Sequence, residues 1–261
     1  MPVIRLAPDT LDDENRRFVQ VPLDQPVFLN SVPKSGSHLL RNVMRMFVPV
    51  DQQYQAQFIQ FGNLKDHYEA FESPRNYLSW GHLLFSDATA IETSRTRRVV
   101  LVRDPYTWVL SRARFFLSEE FDGNMSFLRE GKLTVSDLLN LMIFGIHGKA
   151  PPMAEIYQFN AAAWIGSGAL LLRYEELVSH VGALETAAAD AYFAALLDHC
   201  GVAMPDDWQA RVRTGADRKQ SATASENLTS APIALPRVLP EAQCRLVDYA
   251  APGLRALLGY A

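Results

Sequence analysis

The sequence predicts an α/β fold, a single domain built on a central parallel β-sheet flanked by helices. Two segments carry that prediction. VFLNSVPKSGSHLLRNVM at Val27–Met44 and RRVVLVRDPYTWVLSRARFF at Arg97–Phe116 each read as an apolar strand, a turn and a helix start. The third observation is size: 261 residues, 48% of them hydrophobic, suffice for one sizeable core and call for no second domain. Each turn carries a cation, Lys34 in the first and Arg103 in the second. Open α/β sheets bind ligands outside the carboxyl ends of their strands. Two such turns on one parallel sheet therefore suit a ligand with two separate phosphate groups.

In the first segment, Val27 to Val32 suits a buried strand, and Pro33 ends it because it has no N–H for a sheet ladder. Lys34-Ser35-Gly36-Ser37 supplies a cation, two hydroxyls and one residue free to take positive φ. Leu39, Leu40, Val43, Met44 and Phe47 follow at helical spacing, with Arg41 and Arg45 off that stripe. A helix starting near Ser37 offers free N–H groups and a dipole that favour an anion. The pattern is not the ATP-binding Walker loop, whose lysine follows its last glycine. Taken alone, PKSG is equally an ordinary strand-to-helix turn with a surface lysine.

In the second segment, Val99 to Val102 is the strand, Arg103-Asp104-Pro105 closes it, and Pro105 suits the first helical position. Ser111 follows Arg103 by eight positions, about two helical turns. An arginine at a strand end and a serine on the adjoining helix can share one phosphate, the arginine in bidentate fashion. An Arg103–Asp104 pair with a surface Ser111 is the competing reading.

Together these segments resemble the sulfotransferases that use 3′-phosphoadenosine 5′-phosphosulfate, whose fold is P-loop-NTPase-like. PKSGSHLL resembles the family's 5′-phosphosulfate loop, and RDPYTWVLS its 3′-phosphate motif. LLLRYEELV at Leu170–Val178 resembles the strand ending in Tyr-Glu-Asp-Leu, and the final helix with its Leu-Gly-Tyr ending is similar as well. All four occur in the family's order over nearly the whole chain, 1–261. The resemblance implies that Lys34 contacts the sulfate-bearing phosphate and stabilises the leaving group. It implies Ser35, Gly36, Ser37 and His38 around the 5′-phosphate, Arg103 and Ser111 on the 3′-phosphate, and Tyr174 near the adenine. His82, in YLSWGHLLF, stands where the family has its catalytic base; His38 is the rival, with Glu69 and Glu72 behind it.

The chain also departs from the family. The usual Thr-Thr-Trp is Ser37-His38-Leu39, and the C-terminal cofactor loop is only dimly visible in RTGADRKQS at Arg213–Ser221. Arg213 and Gly215 are the candidates there, with Arg218 and Lys219 as competing cations. That stretch is expected to be a lid ordered by ligand or simply a flexible loop.

A net charge of −4, with its cations spread out, argues against nucleic acid as a partner. Cys200 and Cys244 make no disulfide framework, and no metal-ligand cluster stands out. The first residues lack the apolar core of a signal peptide, and LLNLMIFGI at Leu138–Ile146 is too short to span a bilayer, so the cytoplasm is the expected location. Ser221–Pro240, rich in Ser, Thr and Pro, is expected to wrap the surface. Aromatics between the motifs (Phe58, Phe61, Tyr68, Phe71, Phe121 and Phe144 among them) point to a small, hydrophobic hydroxyl acceptor. The oligomeric state stays open, a homodimer included.

Overall fold

The computed structural model describes residues 9–55, 58–118, 125–217, 219 and 233–260. In chain order the regular elements are α1 (Leu11–Asn15), β1 (Val27–Ser31), α2 (Ser37–Arg45), β2 (Ile59–Gln60), β3 (Leu78–His82), α3 (Asp87–Glu92), β4 (Arg97–Val102), α4 (Pro105–Leu117) and α5 (Val135–Phe144). There follow α6 (Met153–Asn160), β5 (Leu170–Arg173), α7 (Tyr174–Val181), α8 (Ala187–His199), α9 (Trp208–Ala216), α10 (Glu241–Ala250) and α11 (Leu254–Leu257). The described residues gather into two compact units, 9–102 with 159–219, and 103–158 with 233–260.

The first unit holds the sheet. Its strand order is β2-β3-β1-β4-β5, and every pairing is parallel. This is the expected α/β class with a parallel sheet. β1 is buried along its whole length, as a central strand covered on both faces must be. Val27 and Leu29 join Val99 and Leu101 of β4, Leu40, Val43 and Met44 of α2, and Phe193, Leu196 and Leu197 of α8 in one core. Phe28 meets Phe71 edge-on, with ring centroids 5.4 Å apart.

Arg45 lies off the apolar stripe of α2, yet it is buried. Nε donates to Gln53 Oε1 (2.9 Å), and the guanidinium pairs with Asp9 (2.8 Å) and Asp12 (2.6 Å). Two carboxylates and an amide meet the needs of that guanidinium.

Arg213–Ala216, expected in a loop, forms the last turn of α9 instead. Trp208, Arg211, Val212 and Gly215 make a buried helical stripe, which is why the segment folds as helix. Gly215 lets α9 lie close on α2: a Cβ there would stand 2.5 Å from Asn42 O and 2.6 Å from Val43 Cα. The segment 220–232 and Arg218 lie outside the described residues, and so does Phe121.

In the second unit α4 packs on α5. Arg112 of α4 is buried and donates to Met142 O (2.9 Å) and Pro151 O (2.7 Å), with its guanidinium over Trp108. Asp104 caps α4 by accepting from Tyr106 N (3.0 Å) and also accepts both Arg255 bonds (3.1 and 3.0 Å). Leu138, Leu139, Met142 and Ile143 are buried, so the greasiest run of the chain is a core helix. No helix among the described residues is long and apolar enough to cross a membrane.

Replacing Gly215 by alanine drives a methyl into backbone atoms of α2. Gly215→Ala is expected to destabilise the fold by roughly 1–3 kcal/mol, the usual cost of overpacking, in a urea titration. Unchanged stability would mean that the α2–α9 contact yields easily.

Candidate functional site

The site grows from the end of β1. Val32 N donates to Leu101 O (3.0 Å), carrying the β1–β4 pairing one residue further, and Ser35 N bonds Val32 O (3.1 Å) to close the turn. Lys34 has φ +66° and Gly36 φ +90°. The left-handed region is natural for glycine but costs a lysine on the order of 1–3 kcal/mol. The Ser35 side chain is fully buried, and its hydroxyl has no hydrogen-bond partner among the described residues. Gly36 is the N-cap of α2 and has no side chain with which to cap it. The loop therefore combines a cation, a buried hydroxyl without a partner among the described residues and a helix start with glycine at its N-cap, a donor set that fits a phosphate.

Tyr174, the first residue of α7 after β5, lays its ring on this loop. A Cβ on Gly36 would stand 2.4 Å from a ring carbon. His82 is the last residue of β3. Its Nδ1 lies 2.9 Å from Ser31 O and 3.0 Å from Ser31 Oγ. Phe58 walls the ring, with centroids 4.6 Å apart, and also meets Trp80 at 4.7 Å. Burial pushes the His82 imidazole down to about 3, with help from His38 and Lys34.

His38, on the first turn of α2, packs edge-on against Trp80 (4.9 Å). Burial and then the charges of Arg41 and Lys34 bring it down to about 4. Arg41 lies over the same indole, 4.7 Å from its centroid, and burial with repulsion from Arg45 pulls it down to about 10. Both histidines are therefore neutral, singly protonated imidazoles at neutral pH. Glu69, a weaker candidate for the base, accepts from the Tyr54 hydroxyl (3.2 Å).

Lys34, Ser35, Gly36, Ser37, His38, His82 and Tyr174 thus belong to one unit, on segments that leave β1, β3 and β5 at the same edge of a parallel sheet. Arg103 and Ser111 belong to the other unit. Arg103 follows β4 directly in the chain, its Nε donates to Thr107 Oγ1 (3.1 Å), and its carbonyl accepts from the Tyr157 hydroxyl (2.7 Å). Ser111 is buried on α4. Arg213 is exposed and pairs with Glu185, Gly215 is packed against α2, and Lys219 is exposed.

Three contributors were not among the candidates read from the sequence: Asn30, Ser31 and Arg41. The first two carried a signal, since a polar pair at the end of an otherwise apolar buried strand needs specific partners. Arg41 carried none, because an arginine beside an apolar helical stripe is commonplace.

No family model matches the chain, and no curated protein does. Solved structures do. The crystal structure of mouse sulfotransferase SULT7A1 complexed with PAP is similar at a TM-score of 0.59 and 16% identity, over 98% of this chain and 95% of that one. Retinol dehydratase in complex with androsterone and inactive cofactor PAP gives 0.51 at 11% identity, over 90% and 78% of the two chains. The same enzyme with retinol and PAP gives 0.50 at 11% identity, over 90% and 82%. The chain therefore has the P-loop-like α/β fold of these sulfotransferases. Fold likeness at such identities leaves the activity to be argued from the site.

The two depressed histidines set a pH dependence of stability. Unfolding returns both rings to the ordinary value of 6.5, so below that pH the unfolded chain binds more protons than the folded one. Stability measured by urea unfolding is expected to fall as pH drops from about 6.5 toward 4. His38→Gln and His82→Gln should each flatten that slope; an unchanged slope in both would show that these rings titrate normally in the fold.

Proposed function

We propose that the chain is a cytoplasmic sulfotransferase, with residues 1–261 serving one activity. It moves a sulfuryl group from 3′-phosphoadenosine 5′-phosphosulfate to a hydroxyl of a small, hydrophobic alcohol, phenol or lipid-like acceptor. The observation that carries this reading is the loop Lys34-Ser35-Gly36. Its strained lysine, its buried serine hydroxyl without a partner among the described residues and the glycine-capped helix behind it suit a phosphate cradle one strand away from a neutral histidine.

Lys34, Ser35, Gly36, Ser37 and His38 would hold the 5′-phosphosulfate, Tyr174 would lie toward the base, and Arg103 with Ser111 would take the 3′-phosphate. Arg213 and Gly215 keep a lesser claim, one being salt-bridged at the surface and the other packed between helices. When bound, the donor supplies an electrophilic sulfuryl group and a phosphate leaving group. Lys34 and the first amides of α2 meet the electron pair that stays with the leaving phosphate oxygen. These groups are assigned the charge stabilisation that a metal supplies in phosphoryl transfer, so the proposal includes no metal. His82 takes the acceptor's proton as the acceptor oxygen attacks in line.

Calorimetry with adenosine 3′,5′-bisphosphate, set against ATP with magnesium, tests the donor class. Binding of the bisphosphate is expected; preference for ATP would move the chain among the kinases and overturn the proposal. Lys34→Ala should lower turnover roughly 10²–10³-fold, as does removal of other preorganised charge stabilisers. Arg103→Ala and Ser111→Ala should weaken binding of the bisphosphate while sparing adenosine 5′-phosphate. Equal losses for both nucleotides would sink the 3′-phosphate assignment. The negative charge of the bisphosphate offsets Lys34, so the His82 titration followed by NMR should move upward on binding; a downward move would argue against a phosphate beside Lys34.

A further inference from the structure

We infer that Asn30 and Ser31 are positioning residues for His82, fixing its backbone and its tautomer so that Nε2 is the atom that takes the proton. The inference rests on the reading of His82 as the base.

The β1–β3 ladder reaches the pair Asn30 and Gly81, one residue short of His82. Beyond it the Asn30 side chain stands in for a strand. Leu83 N donates to Asn30 Oδ1 (2.8 Å), and Asn30 Nδ2 donates to Leu83 O (3.1 Å). A side-chain amide thus imitates the peptide group that β1 no longer supplies. Asn160 Nδ2 adds a second donor to Leu83 O at 3.2 Å. On the other side of His82, Gly81 gives room to β2, because a Cβ there would stand 1.9 Å from Ile59 O. The backbone is therefore held immediately before and immediately after the histidine.

The ring is held by Ser31. A carbonyl oxygen can only accept, so the 2.9 Å contact between Nδ1 and Ser31 O requires the hydrogen on Nδ1. Ser31 Oγ at 3.0 Å shares that hydrogen as a second acceptor. Nε2 is then the lone-pair nitrogen, as a general base requires. Both acceptors also favour the cation, because the Nδ1–H bond strengthens once Nε2 gains a proton. Asn30 and Ser31 are almost wholly buried, at 0% and 1% exposed. An apolar pair of similar volume would serve a strand end at least as well for stability alone. Both bonds of the Asn30 amide go to the residue after His82, and the two short contacts of Nδ1 go to Ser31, with the Gly81 backbone a further partner of the ring.

The test begins with nitrogen-15 NMR of the imidazoles in the intact protein. His82 is expected as the Nδ1–H tautomer, and an Nε2–H tautomer overturns the inference without any variant. Asn30→Asp, which loses the donor to Leu83 O, should give mixed tautomers; Ser31→Ala, which keeps the carbonyl acceptor and loses only Oγ, should keep the Nδ1–H tautomer but loosen the ring, with affinity for adenosine 3′,5′-bisphosphate unchanged in both. With 2-naphthol as probe acceptor, both should lower kcat roughly 10–100-fold, the scale of a misplaced catalytic group, and Ser31→Thr should restore it. If His82→Ala turns over normally, the base assignment itself falls. If His82→Ala is inactive while Asn30→Asp and Ser31→Ala keep the wild-type rate, only the present inference falls. The tautomer decides where 2-naphthol is not turned over.

Discussion

The parallel pairing of β1 with β3 is the constraint on which the candidate site depends. Parallel register puts the ends of both strands at one edge, so the loop after Ser31 and the ring of His82 emerge side by side. An antiparallel β3 would send His82 to the opposite edge. The pairing is secured by the apolar faces of β1 and by the side-chain amide of Asn30, which continues it for one more residue. β1 lies between β3 and β4, so its turn inherits a rigid base on both sides, and a lysine in a left-handed conformation can be sustained there.

Charge is managed unevenly along the helix that follows. Arg45 is matched by Asp9 and Asp12, whereas Arg41, one turn closer to the loop, has an indole face and no ion pair among the described residues. The result is a positive excess toward the start of α2, in the same sense as the helix dipole. Burial lowers the pKa of both histidines of this region, with Arg41 and Lys34 adding to it at His38 and His38 and Lys34 adding to it at His82. Burial is the main cause for both rings, and the positive charge that favours an anion at the loop adds to it.

Much of this was legible in the sequence. The alternation of apolar strand, turn and helix start located β1 with α2 and β4 with α4 to within a residue or two, because Pro33, Gly36 and Pro105 punctuate the chain by geometry alone. The parallel sheet follows from such units. Arg45 and α9 were not legible. A buried arginine depends on Asp9 and Asp12, which lie more than thirty positions away, and the last turn of α9 depends on Gly215 meeting α2. Local pattern reads polar and small residues as exposed or loop-forming, and only the tertiary partner overrides that reading.

The same limit explains why His82 and His38 could not be separated by sequence. Both lie beside apolar residues, both are near the loop, and both are neutral in the fold. What separates them is second-neighbour geometry. His38 meets Trp80 through its ring face and edge, a contact that leaves its tautomer undetermined. His82 meets a carbonyl and a hydroxyl from the strand next to it, contacts that determine which nitrogen is free. A base needs a known lone pair as much as a suitable proton affinity, since proton transfer is lost when the hydrogen sits on the wrong nitrogen. On that criterion the polar end of β1, rather than the histidine itself, is the feature that supports the proposal of His82 over His38 as the base.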